Sequence, residues 1–357
     1  MKSKSQLLES IDRFQNGFWE KKHIDRPAVG VVPIDIFMPI KYLRKPFSGE
    51  KICPEDVNEG LFANDYEYAF SDRDIENDDF MPFVSAWRAI PWLETICGCP
   101  ALYSTGSLAG GHYVKSVGEF DDIEFPASAE WISCLEKQTH ELVKFLPEDC
   151  WVSPTILRGA SDVLSAMRGL TEFYCDIYDD ISVIDRAAEK VTDVFLEMLR
   201  KHFAAVEPKL GGYGHIYGYW APNKTIVIQE DAMGMCSPDT YRDVFMKYNA
   251  KIVDQVGRYV LFHLHSTGFK HYKDILSIEG IGGLEFTVEA NGPDLLDMVD
   301  DLTFMLEQSR VALFVDHYFD QLPEFLKKVP HEGLYLIIPD KYIITEKEYS
   351  KFIKANF

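Results

Sequence analysis

Short apolar runs recur along the chain and are separated by longer stretches with helical periodicity. Runs that are rich in β-branched and aromatic residues, and bounded by turn residues, are typical of strands covered on both faces. One such run lies near the start of the chain, at Ala28–Ile34. The others are Pro100–Ser104, Cys150–Ile156, Thr225–Gln229, Tyr259–His263, Gly282–Thr287, Val311–Val315 and Leu334–Ile338.

Helical patterns lie before and between these runs. Ser182–Val206 repeats apolar residues at the spacing of one helical face. The stretch from Ser237 to Val256 opens on Ser-Pro-Asp, which supplies an N-cap, a proline for the first turn and an acid that suits the helix dipole. Three more helices are predicted, at Gln6–Glu20, Asp294–Gln308 and Leu322–Val329.

Alternating strands and helices fit either a (β/α)8 barrel or an open doubly wound sheet. No Gly-x-Gly-x-x-Gly motif follows a strand, and the glycine cluster Gly106–Gly111 has the wrong spacing for one. We therefore predict the α/β class with a (β/α)8 TIM barrel, in which chemistry sits at the C-terminal ends of the strands. The chain is expected to be a single domain over residues 1–357, with residues 1–90 an N-terminal extension that carries acidic loops.

The composition narrows the classes of partner. Hydrophobic residues make up 46% of the chain, and 36 basic against 57 acidic residues give a net charge of −21. Such a surface repels phosphate backbones and anionic lipid, which argues against nucleic acid and membrane partners. The polar N-terminus and seven scattered cysteines favour a cytoplasmic protein with reduced thiols. We expect a small-molecule substrate and, from base rates alone, a homodimer.

The most informative positions are His263 and His265, which end one of the predicted strands. Side chains alternate along a strand, so both imidazoles point to the same face. Two neighbouring imidazoles at a strand end suit half of a metal site or an acid/base pair. The alternative is that each is a structural histidine bonded to a backbone carbonyl.

Acids and one more histidine follow other strands. In a closed barrel these ends meet at one mouth, although polar residues are also common in solvated loops. Glu285 lies inside an apolar strand, with Glu289 after it, and a buried carboxylate requires a partner. The candidate metal ligands are His263, His265, Glu285 and Asp340, and the candidate catalytic residues are Glu230, Asp231, Asp316 and His317.

Three further residues are candidates for binding substrate. Arg158 would grip an anionic group, or would instead pair with Asp162 four residues later. Arg88 and Trp87 lie in a segment with two tryptophans, which would cover a planar ligand or simply pack at the edge of the barrel.

Two segments together resemble the uroporphyrinogen decarboxylase superfamily. Ile226–Pro238 has the acidic pair, the glycine and the Ser-Pro of that superfamily, and Val260–Gly268 resembles its strand ending in His-x-Cys-Gly. Val152–Gly159 is similar to its Gly-Pro-Phe-Thr-Leu stretch. The resemblance covers roughly residues 90–345 and implies a (β/α)8 barrel.

The branch of true uroporphyrinogen decarboxylases is a poor match. Its N-terminal Arg-Gln-Ala-Gly-Arg motif is absent, and Phe70-Ser71-Asp72, which is similar to its catalytic segment, lies in an acidic tract rather than after an apolar strand. A net charge of −21 also suits a polyanionic tetrapyrrole badly.

The other branch, the corrinoid-dependent methyltransferases, binds zinc through His-x-Cys and a later cysteine. Here His263 matches the histidine, His265 replaces the cysteine, and no cysteine follows Cys236. The resemblance therefore implies a metal-dependent methyltransferase that acts with a corrinoid protein, with Glu285 or Asp340 completing a zinc site of nitrogen and oxygen ligands. A metal-free decarboxylase or lyase on a small carboxylate or tetrapyrrole-like substrate is the alternative, and a non-catalytic binding protein is the third reading.

Overall fold

A computed structural model describes residues 2–33, 51–57, 74–104, 107–147 and 149–357. Its strands are β1 (Ala28–Val32), β2 (Lys51–Ile52), β3 (Phe83–Val84), β4 (Ala101–Ser104), β5 (Ser107–Gly110), β6 (Trp151–Val152), β7 (Tyr213–Gly214), β8 (Trp220–Ala221), β9 (Ile226–Gln229), β10 (Val260–Leu264), β11 (Gly283–Thr287), β12 (Val311–Phe314) and β13 (Leu334–Pro339). Its α-helices are α1 (Lys4–Asp12), α2 (Trp92–Ile96), α3 (Glu119–Asp122), α4 (Ala129–Phe145), α5 (Ala160–Arg168), α6 (Leu170–Asp179), α7 (Ile181–Ala205), α8 (Pro238–Thr240), α9 (Met246–Val256), α10 (Tyr272–Leu276), α11 (Val299–Gln308), α12 (Leu322–Phe325) and α13 (Glu346–Asn356).

The central feature is a six-stranded parallel sheet in the order β1-β13-β12-β11-β10-β9. The first strand of the chain lies beside the last, and the other strands follow in sequence order. This order is the one that consecutive strands of a barrel adopt, whereas an open doubly wound sheet places its first strand in the middle. The predicted α/β class with parallel strands is confirmed.

Among the described residues, the backbone hydrogen bonds between strands do not close the predicted barrel. β3 and β6 form a separate parallel pair, joined to β9 by the single bridge between Arg158 and Gln229. The predicted strand at Cys150–Ile156 is only two residues long, because Pro154 has no N–H to donate to a neighbour. The other edge of β1 bonds to Asp79, whose backbone N–H donates to the Val29 carbonyl at 2.7 Å.

Alternation along the strands divides the core into two layers. The outer face of the sheet, with Phe262 and Leu264 of β10, packs against the helices. The inner face carries Leu261 and Tyr335 and packs against the turn of the hairpin formed by β7 and β8. Since His263 alternates with Phe262 and Leu264, it belongs to the inner face.

Part of the predicted N-terminal extension belongs to the sheet. β1 lies within residues 1–90 and pairs with β13 over its whole length. Helix α1 precedes it, and a capping box of Ser3 and Gln6 satisfies the first amides of that helix. Phe70-Ser71-Asp72 lies outside the described residues, as does most of the acidic tract around it.

Two predicted helices are shorter than expected. The segment predicted from Asp294 becomes α-helical only at Val299, because its first residues form turns with bonds three residues apart. The helix predicted over Leu322–Val329 ends as an α-helix at Phe325 for the same reason. Within the described ranges, no helix combines the length and apolarity that crossing a bilayer requires.

Candidate metal centre

The register of the sheet brings three polar residues into one row on the inner face. His263 of β10 pairs with Gln229 of β9 on one side and with Glu285 of β11 on the other. Arg158 extends the row, because it forms the bridge to Gln229. Residues paired across parallel strands share a face, so the row is a consequence of register and alternation.

Three side chains at the C-terminal end of this row direct one donor atom each toward a common point. The Nε2 atoms of His263 and His265 lie 2.8 Å apart. The Oδ1 atom of Asp231 lies 3.9 Å from Nε2 of His263 and 3.8 Å from Nε2 of His265. His263 is buried, whereas Asp231 and His265 expose 40% and 31% of their side chains, so solvent reaches the cluster from one side.

Each imidazole has a glutamate at its other nitrogen. Nδ1 of His263 hydrogen-bonds to the fully buried carboxylate of Glu285. Nδ1 of His265 lies 2.9 Å from Oε1 of Glu289, whose other oxygen accepts from the Ser266 amide. A carboxylate at Nδ1 fixes the tautomer of a histidine and directs Nε2 to a metal, which is the arrangement seen behind most metal-ligating histidines.

The glutamate behind His263 has further donors. The Tyr217 hydroxyl lies 3.2 Å from Nδ1 of His263 and also hydrogen-bonds to Glu285, and the Thr287 hydroxyl donates to the other oxygen of Glu285 at 3.2 Å. Burial acts to lower the pKa of His263, but the charge of Glu285 and its hydrogen bond outweigh burial and raise that pKa to about 9. A metal that bound Nε2 would therefore compete with a proton.

Residues around β9 hold Asp231 in place. The Gln229 side chain donates to Oδ2 of Asp231 at 2.6 Å, which leaves Oδ1 for the cluster. Glu230 is turned away and buried, and its carboxylate accepts from the Ser161 amide at the start of α5. Burial raises the pKa of Glu230 to about 7. Asp162, also buried, accepts from the Ala232 amide at 2.6 Å and so fixes the loop after β9.

The three donors fit a zinc ion of the catalytic type. Ligands about 2.0–2.1 Å from a tetrahedral zinc lie about 3.3 Å from one another. The three donor distances here bracket that value, so small side-chain rotations would accommodate the ion. Three protein ligands leave a fourth position for substrate, and a set of two imidazoles and one carboxylate is harder than a thiolate set.

The other predicted ligands and acids lie elsewhere along the same edge of the sheet. Glu285 touches His263 at Nδ1 and stands behind the cluster. Asp340 follows β13, where its amide donates to the Val32 carbonyl. Asp316 follows β12 and pairs with Lys341 at 2.7 Å, with the His317 ring 3.1 Å away. The structure does not bring Asp316, His317 or Asp340 into the group of converging donors.

The predicted substrate-binding residues have different environments. Arg158 donates to the buried carboxylate of Glu94 at 2.8 Å, rather than forming the predicted pair with Asp162, and exposes 39% of its side chain. Arg88 and Trp87 are both buried, and the Arg88 guanidinium lies over the Phe83 ring. Their part in substrate binding stays a prediction.

Sequence reasoning missed several supporting residues. Tyr217 lies in a short hairpin whose sequence contains no recognisable motif. The sequence therefore does not predict that the Tyr217 hydroxyl contacts His263. The sequence marks Gln229 only as the end of a strand, although its position two residues before Asp231 matches the observed bond. The sequence places Glu289 after a strand, but its position near His265 depends on the turn that follows β10.

No protein-family model matches the sequence, and no curated protein matches it. Among solved structures, a methyltransferase from Methanosarcina mazei is similar over 98% of this chain and 98% of its own length, with a TM-score of 0.62 and 13% sequence identity. The carboxyl transferase domain from Rhizobium etli pyruvate carboxylase aligns with 93% of this chain and 50% of its own, at 11% identity and a TM-score of 0.33, which is too low to carry an argument. At 13% identity the first likeness shows the fold alone.

Proposed function

We propose that this chain is a zinc-dependent methyltransferase of the uroporphyrinogen decarboxylase superfamily that works with a corrinoid protein. The observation that carries the proposal is the convergence of the Nε2 atoms of His263 and His265 with Oδ1 of Asp231. His263 stands where the methyltransferase branch has its zinc-binding histidine. The structural likeness to the Methanosarcina mazei methyltransferase, which extends over nearly the whole of both chains, supports the same assignment.

In this proposal the central strands belong to a (β/α)8 barrel made of β1, β3, β6 and β9–β13. The position of β1 beside β13 and the bridge between Arg158 and Gln229 support that arrangement. The mouth of the barrel would then lie at the C-terminal ends of the strands, which is where the three donor atoms meet.

His263, His265 and Asp231 would hold the zinc ion, and the residues behind them would orient those ligands. Bound zinc would supply a Lewis acid that favours the deprotonated form of a thiol or similar nucleophile. Glu285 hydrogen-bonds to Nδ1 of His263, Glu289 lies 2.9 Å from Nδ1 of His265, and the Gln229 side chain donates to the other oxygen of Asp231. The exposed side of the cluster leaves access for a small substrate and for a methylated corrinoid carried by the partner.

Metal content tests the proposal directly. Protein purified without a histidine tag or chelator should contain about one zinc per chain, as in other three-ligand catalytic sites. His263→Ala, His265→Ala and Asp231→Asn should each lose that zinc and any methyl transfer from methylcobalamin to a thiol, because each removes one ligand. His317→Ala is the matched control: it removes a histidine near the same edge but outside the cluster, and it should retain the metal.

A second candidate is a metal-free decarboxylase or lyase acting on a small acid. Arg158 favours it, because its partly exposed side chain, which pairs with Glu94, lies on the segment next to Gln229 and could also hold a carboxylate. Protein that contains no metal, takes up none from added zinc and releases carbon dioxide from a small acid would replace the methyltransferase proposal with this one. If variants that replace both His263 and His265 kept their affinity for the partner protein, that result would instead indicate a non-catalytic binding protein.

A further inference from the structure

We infer that Tyr217 is a positioning residue of the metal centre. Its hydroxyl, delivered through the inner face of the sheet by the hairpin of β7 and β8, holds the carboxylate of Glu285 and the Nδ1 side of His263 in place. The inference rests on the proposed function, because it concerns how the same metal ligands are aimed.

The contacts of Glu285 define the role of this hydroxyl. Glu285 is fully buried on the inner face, where an ionised carboxylate is stable only when several donors surround it. The donors are Nδ1–H of His263, the Tyr217 hydroxyl and the Thr287 hydroxyl. Of these three donors, Tyr217 comes from outside the central sheet. The hairpin thus connects the row of Gln229, His263 and Glu285 to the rest of the inner layer.

Hydrogen bonds within the hairpin, and one from the sheet, fix the position of Tyr217. The His215 amide donates to the Tyr219 carbonyl at 3.0 Å, and the Gly218 amide donates to the His215 carbonyl at 2.8 Å. Gly218 has a φ of +72°, and a Cβ atom there would overlap the Phe80 ring, so the turn requires glycine. From the sheet, the Tyr335 hydroxyl donates to the Tyr217 carbonyl at 3.0 Å and anchors the turn to β13.

The rings form a column that ends at the metal ligand. The His215 and Tyr217 rings are nearly parallel, with centroids 5.7 Å apart and an angle of 16°. The Tyr217 and His263 rings continue the column at 6.1 Å and 20°. The plane of the His263 ring is thus set by packing on one side and by its Nδ1 bonds at the edge, and both depend on Tyr217.

The neighbouring Tyr219 provides a matched control. It lies in the same hairpin, is fully buried, and its hydroxyl contacts Thr225 at 3.0 Å rather than the metal centre. Tyr217→Phe and Tyr219→Phe each delete one buried hydroxyl and keep the ring. Any general loosening of the hairpin should therefore appear in both variants.

The first measurement is the zinc dissociation constant of the full-length protein and of both variants, by competition with a chelating dye. Tyr217→Phe should bind zinc about tenfold more weakly, which is the lower end of the effect of deleting an outer-shell partner of a metal ligand. Tyr219→Phe should stay within about twofold of the unaltered protein. Unchanged zinc affinity in Tyr217→Phe, or an equal loss in both variants, would overturn the inference.

A metal-free readout separates this inference from the proposed function. In histidine-labelled protein without metal, Nδ1–H of His263 should give a slowly exchanging NMR signal that weakens or exchanges faster in Tyr217→Phe and not in Tyr219→Phe. If the unaltered protein binds no zinc, the proposed function fails while this spectrum still decides what Tyr217 does. An identical His263 signal in the unaltered protein and in Tyr217→Phe would overturn the positioning role.

Discussion

At the scale of single residues, the two imidazoles of the candidate site each have one nitrogen near a glutamate and the other directed toward the common point. In both His263 and His265 a glutamate stands at Nδ1 and leaves Nε2 directed toward the common point. An imidazole such as that of His265 is a harder donor than a thiolate. Oε1 of Glu289 lies 2.9 Å from Nδ1 of His265, on the side of the ring away from the common point.

Another histidine of the inner layer, His215, lies outside the candidate metal centre and makes the stability depend on pH. Burial, together with the nearby charges of Arg88 and His202, lowers the pKa of His215 to about 3. An unfolded histidine has a pKa of about 6.5, so below that pH the unfolded chain takes up a proton that folded His215 refuses. The stability from neutral His215 is therefore complete above about pH 6.5 and is lost as the pH falls toward 3.

We expect His215→Asn to flatten the acid side of the stability profile. Asparagine can still accept from the Tyr217 amide, which lies 3.4 Å from Nδ1 of His215, but it does not titrate. The fall in the free energy of unfolding should be smaller by up to about 1.4 kcal/mol per pH unit between about pH 5.5 and 4. Urea unfolding across that range measures the slope, with His140→Asn on an exposed face of α4 as the control. Parallel profiles for the unaltered protein and His215→Asn would show that His215 is not the titrating group.

At the scale of elements, the sequence indicated most of the strands but not their register. The apolar runs at β9–β13 are found within one or two residues of their predicted bounds. The pairing of His263 with Gln229 and Glu285 is set by contacts between segments that are distant in the sequence. The hydrophobic periodicity of each segment does not predict this register. For this reason the sequence named Glu285 as a ligand, whereas the register places it beside His263 and behind the cluster.

The inner layer also depends on a contact that no motif reveals. Gly30 of β1 faces Tyr335 of β13, and a Cβ atom at Gly30 would overlap the Tyr335 hydroxyl oxygen. That hydroxyl donates to the carbonyls of Tyr217 and Gly218, at 3.0 and 3.3 Å. Glycine in this strand therefore leaves the room that the anchor of the hairpin needs.

A double-mutant cycle tests this contact. Gly30→Ala should destabilise the protein by about 1–3 kcal/mol, because it forces the Tyr335 ring to move. Tyr335→Phe should cost about 1 kcal/mol for the lost hydrogen bond, and the double variant should cost less than the sum, because no hydroxyl remains to overlap. Urea unfolding measures all three. Gly118→Ala is the control, since Gly118 has a φ of −61° and an added Cβ atom there would meet nothing within 4 Å. Additive costs would mean that the Gly30 and Tyr335 positions act independently.

At the scale of the whole molecule, the N-terminal segment is built into the rest of the chain. β1 pairs with β13, and the Trp19 side chain donates to the Trp220 carbonyl at 2.7 Å. Arg310 donates to the Trp19 carbonyl, and the Gly333 amide donates to the Gly17 carbonyl at 2.9 Å. The distant ends of the chain thus share one sheet and one inner layer, which is the reason to expect one domain despite a length at which several are common.

The last prediction is that the chain unfolds in one cooperative transition. Two-state behaviour is usual below about 150 residues, so a single transition in a chain of this length would have to come from the shared sheet. Val29→Ala, in fully buried β1, should cost about 2 kcal/mol and shift tryptophan fluorescence and far-ultraviolet circular dichroism to lower urea by the same amount. Leu8→Ala removes a comparable side chain that is about half exposed on α1, and it should shift neither probe appreciably. If residues 1–90 were an independent unit, Val29→Ala would move only a minor early transition and leave the main one in place. One transition that moves as a whole would mean that the strand at the start of the chain stabilises the sheet on which the three candidate metal ligands are placed.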